Sequence, residues 1–175
     1  MWTRQIVISG FAVTVVAVLP MLGAVPASAG LVGGGGKPTP REFAESGLPA
    51  TFEAGMACDF AVTVAEVVNK EFRRTFPNGN SLITGRLVVR VTNDVTDETV
   101  VRNVSGPVLL TTGHAGEQVA VLSGSSISPV FEGNDLTGEV GRGLFVFHGP
   151  TVFTDFKLTD VSGNFEDLCE TLAAT

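Results

Sequence analysis

The sequence predicts an all-β fold: an antiparallel barrel or sandwich of about eight strands with a short C-terminal helix. Three observations lead there. From Cys58 onward, short runs rich in Val, Phe and Thr recur between turn residues at roughly eight- to twelve-residue spacing. Within a run such as Leu82 to Thr92, Leu87, Val89 and Val91 alternate with Arg86, Val88 and Arg90, so one face is apolar and the other largely polar. Gly, Asn and Pro separate the runs, most clearly at Asn78-Gly79, a hairpin-turn dipeptide that tolerates positive φ.

The elements follow in order. Asp59 to Val68 puts Phe60, Val62, Val64 and Val68 on one face. A weaker strand around Phe72 to Phe76 turns at Asn78-Gly79 into Leu82 to Thr92. Asn93 to Glu98 is an acidic turn. Thr99 to Ser105 and Val108 to Thr112 are divided by Gly106-Pro107, where proline interrupts pairing. Gly113-His114-Ala115-Gly116 is a tight turn into Glu117 to Leu122, and a Gly/Ser-rich stretch precedes Ile127 to Phe131. Gly143 to Phe147 and Val152 to Leu158 form the last strand pair. In the first of these, Leu144 and Val146 lie on one face and Phe145 and Phe147 on the other. A strand apolar on both faces is either covered on both sides or offered to a partner, so these four residues are a candidate interaction surface. Asn164, with an acid three residues on at Asp167, reads as the N-cap of a C-terminal helix carrying Phe165, Leu168 and Leu172 at helical spacing.

The N-terminal part differs in kind. Arg4 precedes the uncharged apolar run Ile6 to Leu19; Pro20 and Gly23 follow, and then Ala27-Ser28-Ala29. This is the order of a cleavable secretory signal, with cleavage expected between Ala29 and Gly30 and no membrane span after its removal. The competing reading is an uncleaved anchor, since Ile6 to Val25 is about twenty residues long. Residues 30–57 read as a flexible Gly/Pro-rich spacer and an irregular segment, and 58–175 as the β-domain. Cys58 and Cys169 are the only cysteines, and in an oxidising compartment an even pair is most simply a disulfide.

Composition excludes several functions. A net charge of −7, one unit more negative once Arg4 is removed, argues against nucleic acid and anionic lipid surfaces. There are twelve phenylalanines, no tyrosine, and one tryptophan that leaves with the signal, which weakens a carbohydrate-stacking role. His114 and His148 sit in glycine-flanked turns without a nucleophile elbow, and they read as solvated. The acidic turns, Asp94, Asp97 and Glu98 in one and Glu132, Asn134, Asp135 and Glu139 in the other, match no calcium-loop spacing. Asp155 and Lys157 read as a surface pair, and Asn103-Val104-Ser105 fits a glycosylation sequon. Nothing in the chain calls for a cofactor or metal, and no catalytic residue is assigned.

A secretory signal, a glycine-rich spacer, a β-domain and the closing Asp167-Leu168-Cys169, with a second cysteine near the first strand, together resemble small secreted single-disulfide proteins of high-GC Gram-positive bacteria. The resemblance implies an extracellular or wall-associated location and transfers no functional residue. The expected function is a non-catalytic secreted protein that binds or interacts. Its partner would be a protein or, if the barrel is hollow, a small lipophilic ligand. A small extracellular enzyme using an acidic residue is the remaining alternative.

Overall fold

The computed structural model describes residues 36–174; the expected signal peptide and its Ala29–Gly30 cleavage site lie outside them. Twelve strands and one helix follow in chain order: β1 (Glu42–Phe43), β2 (Ala50–Phe52), β3 (Val62–Thr75), β4 (Ser81–Asn93), β5 (Thr99–Asn103) and β6 (Val108–Thr112). Then come β7 (Gln118–Leu122), β8 (Ser125–Val130), β9 (Gly143–His148), β10 (Thr151–Thr154), β11 (Lys157–Val161), β12 (Asn164–Asp167) and α1 (Leu168–Ala173). All strand pairs within the two sheets are antiparallel. The large sheet has nine strands on the path β1-β3-β4-β6-β7-β10-β11, with β2 beside β3 and β5 beside β4; the small sheet is β12-β9-β8. Neither hydrogen-bonded path closes on itself among the described residues.

The frame is the β3–β4 hairpin. The sequence suggests two strands before Asn78-Gly79, at 59–68 and 72–76; they are one continuous strand, β3. A β-bulge hides the continuity: Glu66 pairs with Val89 but Val68 with Val88, so Val67 is extra. An inserted residue shifts the alternation by one. Val62 and Val64 face inward before the bulge, and Glu71 and Arg73 after it, while Phe72 turns outward. Gly85 lies opposite Glu71 at φ 149°, and a Cβ there would collide with the β3 backbone, so only glycine lets the strands approach this closely.

The outer edge of β3 would otherwise present unpaired amides. It is covered by part of the segment expected to be irregular, because β1 pairs with Arg73 and Phe72, and β2 with Val64, Thr63 and Val62. Between them residues 44–49 arch over the edge, with Ala44 and Ser46 buried.

Strand β9 answers the question posed by its two apolar faces. Leu144, Phe145, Val146 and Phe147 are all at most 1% exposed, so the candidate interaction surface is interior. β9 is the middle strand of the small sheet and divides two cores. Leu144 and Val146 join Phe52, Val62, Val89, Val91 and Leu172, whereas Phe145 and Phe147 join Leu122, Val130, Phe153 and Leu158. Phe165 of β12 caps the second group edge-on, 5.6 Å from the Phe145 ring.

Three further expectations are corrected. The run Val152 to Leu158 is a hairpin, because Asp155 and Phe156 both adopt positive φ (45° and 64°) and turn β10 into β11. Asp155 accepts from the Gln118 amide at 2.9 Å and, among the described residues, forms no ion pair with Lys157. The C-terminal helix also starts later than Asn164. Phe165 pairs with Phe147, which keeps 164–167 extended, and Asp167 is the N-cap, its Oδ1 accepting from the amides of Cys169 (2.7 Å) and Glu170 (3.3 Å).

This end is tied down three ways. Cys58 and Cys169 form a disulfide across 111 residues, with Cα atoms 5.3 Å apart. Arg102 on β5 grips Glu166 on β12 through two bonds of 2.8 and 2.5 Å, holding that carboxyl below the usual range. The buried Asn93 side chain donates to the Leu172 carbonyl at the end of α1 (3.3 Å).

Candidate functional site

The inner face of the large sheet does not fill the space it encloses. Beyond Leu87 and Leu144, toward the β3–β4 turn, a cavity of about 220 Å³ opens. An engineered apolar cavity of about 150 Å³ already admits benzene. Ile83, Leu110, Ala120, Leu122 and Phe153 make most of its wall apolar. Three hairpin turns contribute to its lining, through Gly79, Thr112 with Gln118, and Phe156. Phe156 is exposed and sits in the left-handed region, where a bulky residue is uncommon.

Polar groups enter this apolar space at a few points. The bulge turns Glu71 and Arg73 inward, and they are the only ionisable side chains lining the cavity among the described residues. Glu71 is 3% exposed, and its carboxyl has no hydrogen-bond or salt-bridge partner among the described residues. Burial, helped by the nearby Glu66, pushes its pKa up to about 7. The Arg73 guanidinium is lowered by burial, with Glu42 opposite it on β1 acting the other way, and its Nε is buried without a partner. On the far wall the Ser126 hydroxyl is likewise buried and unpartnered. Unmet polar groups are costly to bury and few in native proteins, so the two unpartnered atoms beside this cavity, Arg73 Nε and Ser126 Oγ, mark a place built to meet something.

The edge arch seals this side. Ser46 and Leu48 line the cavity, and the Ser46 hydroxyl donates to Glu66, which also accepts from Asn69 Nδ2 at 3.2 Å. Glu66 is thereby occupied, while Glu71 stays free.

The residues singled out from sequence lie elsewhere. His114 and His148 are exposed; His148 Nδ1 lies 3.1 Å from Ser125 Oγ at the end of β9. Asp135 is enclosed by its own loop, accepting from Thr137, Gly138, Val140 and Gly141, and those bonds outweigh burial and hold its carboxyl well below the usual range. Asp94 accepts from Thr63. Among the described residues no group of three or more His, Cys, Asp or Glu side chains converges as a metal cage, and no helix is long and apolar enough to cross a membrane. Asn103 of the sequon is exposed at the end of β5.

Sequence reasoning missed Glu71 and Arg73, because alternation carried forward from Val62 and Val64 would place Phe72 inside. The available signal was the interval itself: Glu66 to Arg74 has two acids and three bases in a strand whose start is apolar.

No family model, curated protein or solved structure matches this chain.

Proposed function

We propose that this is an exported, non-catalytic binding protein that holds a small, mostly apolar molecule inside its β-domain. The curved large sheet then serves as the wall of an incompletely closed barrel. The supporting observation is the cavity: mostly apolar walls with a few buried polar groups, which is the usual composition of a small-molecule site. The burial of Leu144 to Phe147 removes the one protein-docking surface the sequence suggested. The disulfide fits an oxidising compartment.

The test is native mass spectrometry of protein purified gently with the Cys58–Cys169 bond intact, followed by titration with benzene and octan-1-ol. A bound small molecule, or saturable uptake of either compound, is expected. The absence of both a co-purified molecule and saturable uptake overturns the reading.

A second reading draws on Glu71 alone: a carboxyl titrating near neutrality is suited to general-base work. It requires turnover that Glu71→Gln abolishes. Uptake of octan-1-ol unchanged by that substitution, with no turnover of hydrolysable analogues, excludes it.

A further inference from the structure

Given the cavity reading, which this deepens, the walls also say what the ligand carries. An unidentified apolar molecule could end in an acid, an amine, an alcohol or nothing. The groups waiting for it are mostly donors. Arg73 Nε–H has no acceptor, and among the described residues Arg73 has no carboxylate within salt-bridge distance. Ser126 Oγ has no partner. The strands opposite, β4, β6, β7 and β8, contribute only uncharged side chains to the lining. Around Glu71 the charged groups are Glu66 and Arg73 on its own strand, with Glu42 beside Arg73 on β1. Glu66 is already bonded by Ser46 and Asn69.

We infer that the cavity takes a small apolar monocarboxylic acid, its carboxylate on the Arg73 guanidinium beside Glu71 and its hydrocarbon part among Ile83, Leu110, Leu122 and Phe153. Arginine suits this role because its planar fork matches a carboxylate and stays charged at any working pH. Glu71 sets the pH dependence. While protonated it can donate to the ligand's carboxylate, and the cavity carries one positive charge. Once ionised it competes for Arg73 and repels the ligand. Acid binding therefore weakens as pH rises through neutrality.

The probes are octanoate, octan-1-ol and octylamine, which share a chain length and differ in head group. They are titrated calorimetrically into protein with its disulfide formed, at about pH 6 and about pH 8.5, either side of the Glu71 transition. Octanoate is expected to bind about tenfold more tightly than octan-1-ol at the lower pH and to lose about tenfold at the higher, while octan-1-ol stays constant. Glu71→Gln removes the pH dependence of octanoate. Arg73→Met removes the preference for octanoate but keeps octan-1-ol, which also shows that the variant is folded; Arg73→Lys retains part of the preference.

Octylamine binding best, or octanoate binding no better than octan-1-ol at either pH, overturns the head-group inference and leaves the cavity reading standing. If none of the three binds, both fall.

Discussion

Strand β4 runs through both ends of the molecule, and its two halves have opposite surroundings. At one end Leu87, Val89 and Val91 are closed over by β9, α1 and the opposing Val62 and Val64. At the other, Ser81 and Ile83 face the cavity, across from Thr75 and Arg73. The inward alternation is unbroken along the whole strand. What changes is the partner. Beyond the bulge in β3 the opposing residues become Glu71 and Arg73, and the small sheet borders the space through β8 without filling it. One end is packed for stability, and the other keeps room at a cost in stability.

The largest effect should come from the disulfide at the packed end. Replacing both cysteines by serine is expected to cost on the order of 4 kcal/mol, measured by urea unfolding, because a loop of 111 residues is released in the unfolded chain. A loss under about 1 kcal/mol would show that the helix holds without it.

Core truncation separates the ends directly. Leu168→Ala, at a position with no exposure, should cost about 3 kcal/mol. Leu110→Ala, on the cavity wall, should cost about 1 kcal/mol, since its neighbours already leave space. Equal losses would mean the cavity end is packed as tightly as the other.

Next comes the buried carboxyl. Its pKa is raised on folding from 4.5 to about 7, so the folded state binds the proton more tightly than the unfolded chain. Stability is therefore highest below about pH 4.5 as far as this group is concerned, and it falls as pH rises through about 7, by up to about 3 kcal/mol. Glu71→Gln should flatten that slope and leave the protein more stable than the parent at about pH 8. An unchanged slope would place Glu71 in solvent.

The smallest effect belongs to the clamp between sheets. Arg102 and Glu166 are about 30% and 27% exposed, so solvent screens the pair, and Arg102→Ala should cost about 1 kcal/mol, less in high salt.

Much of the packed end is readable from sequence: the alternation of Leu87, Val89 and Val91 and the lone cysteine pair each carry their own signal. At the hollow end only the turn at Asn78-Gly79 is readable in this way. The bulge at Val67 is decided by which β4 residue each β3 residue meets, and one extra residue reverses every inward assignment after it. Asn164 looks like a helix cap in one dimension; pairing of Phe165 with Phe147 keeps it in a strand and moves the cap to Asp167. The apolar strand Leu144 to Phe147 is visible from sequence, but one of its faces is covered by β3 and β4, far away in the chain, and the other by the neighbouring β10 and β11.

Methyl-resolved NMR during a titration with octan-1-ol tests the hollow end most directly. Shifts should concentrate on Ile83, Leu110 and Leu122 and saturate, while Val89, Val91 and Leu168 stay still. Saturable shifts at Val89, Val91 and Leu168 instead, or no shifts at all, would contradict the division of this molecule into a packed end and a receiving one.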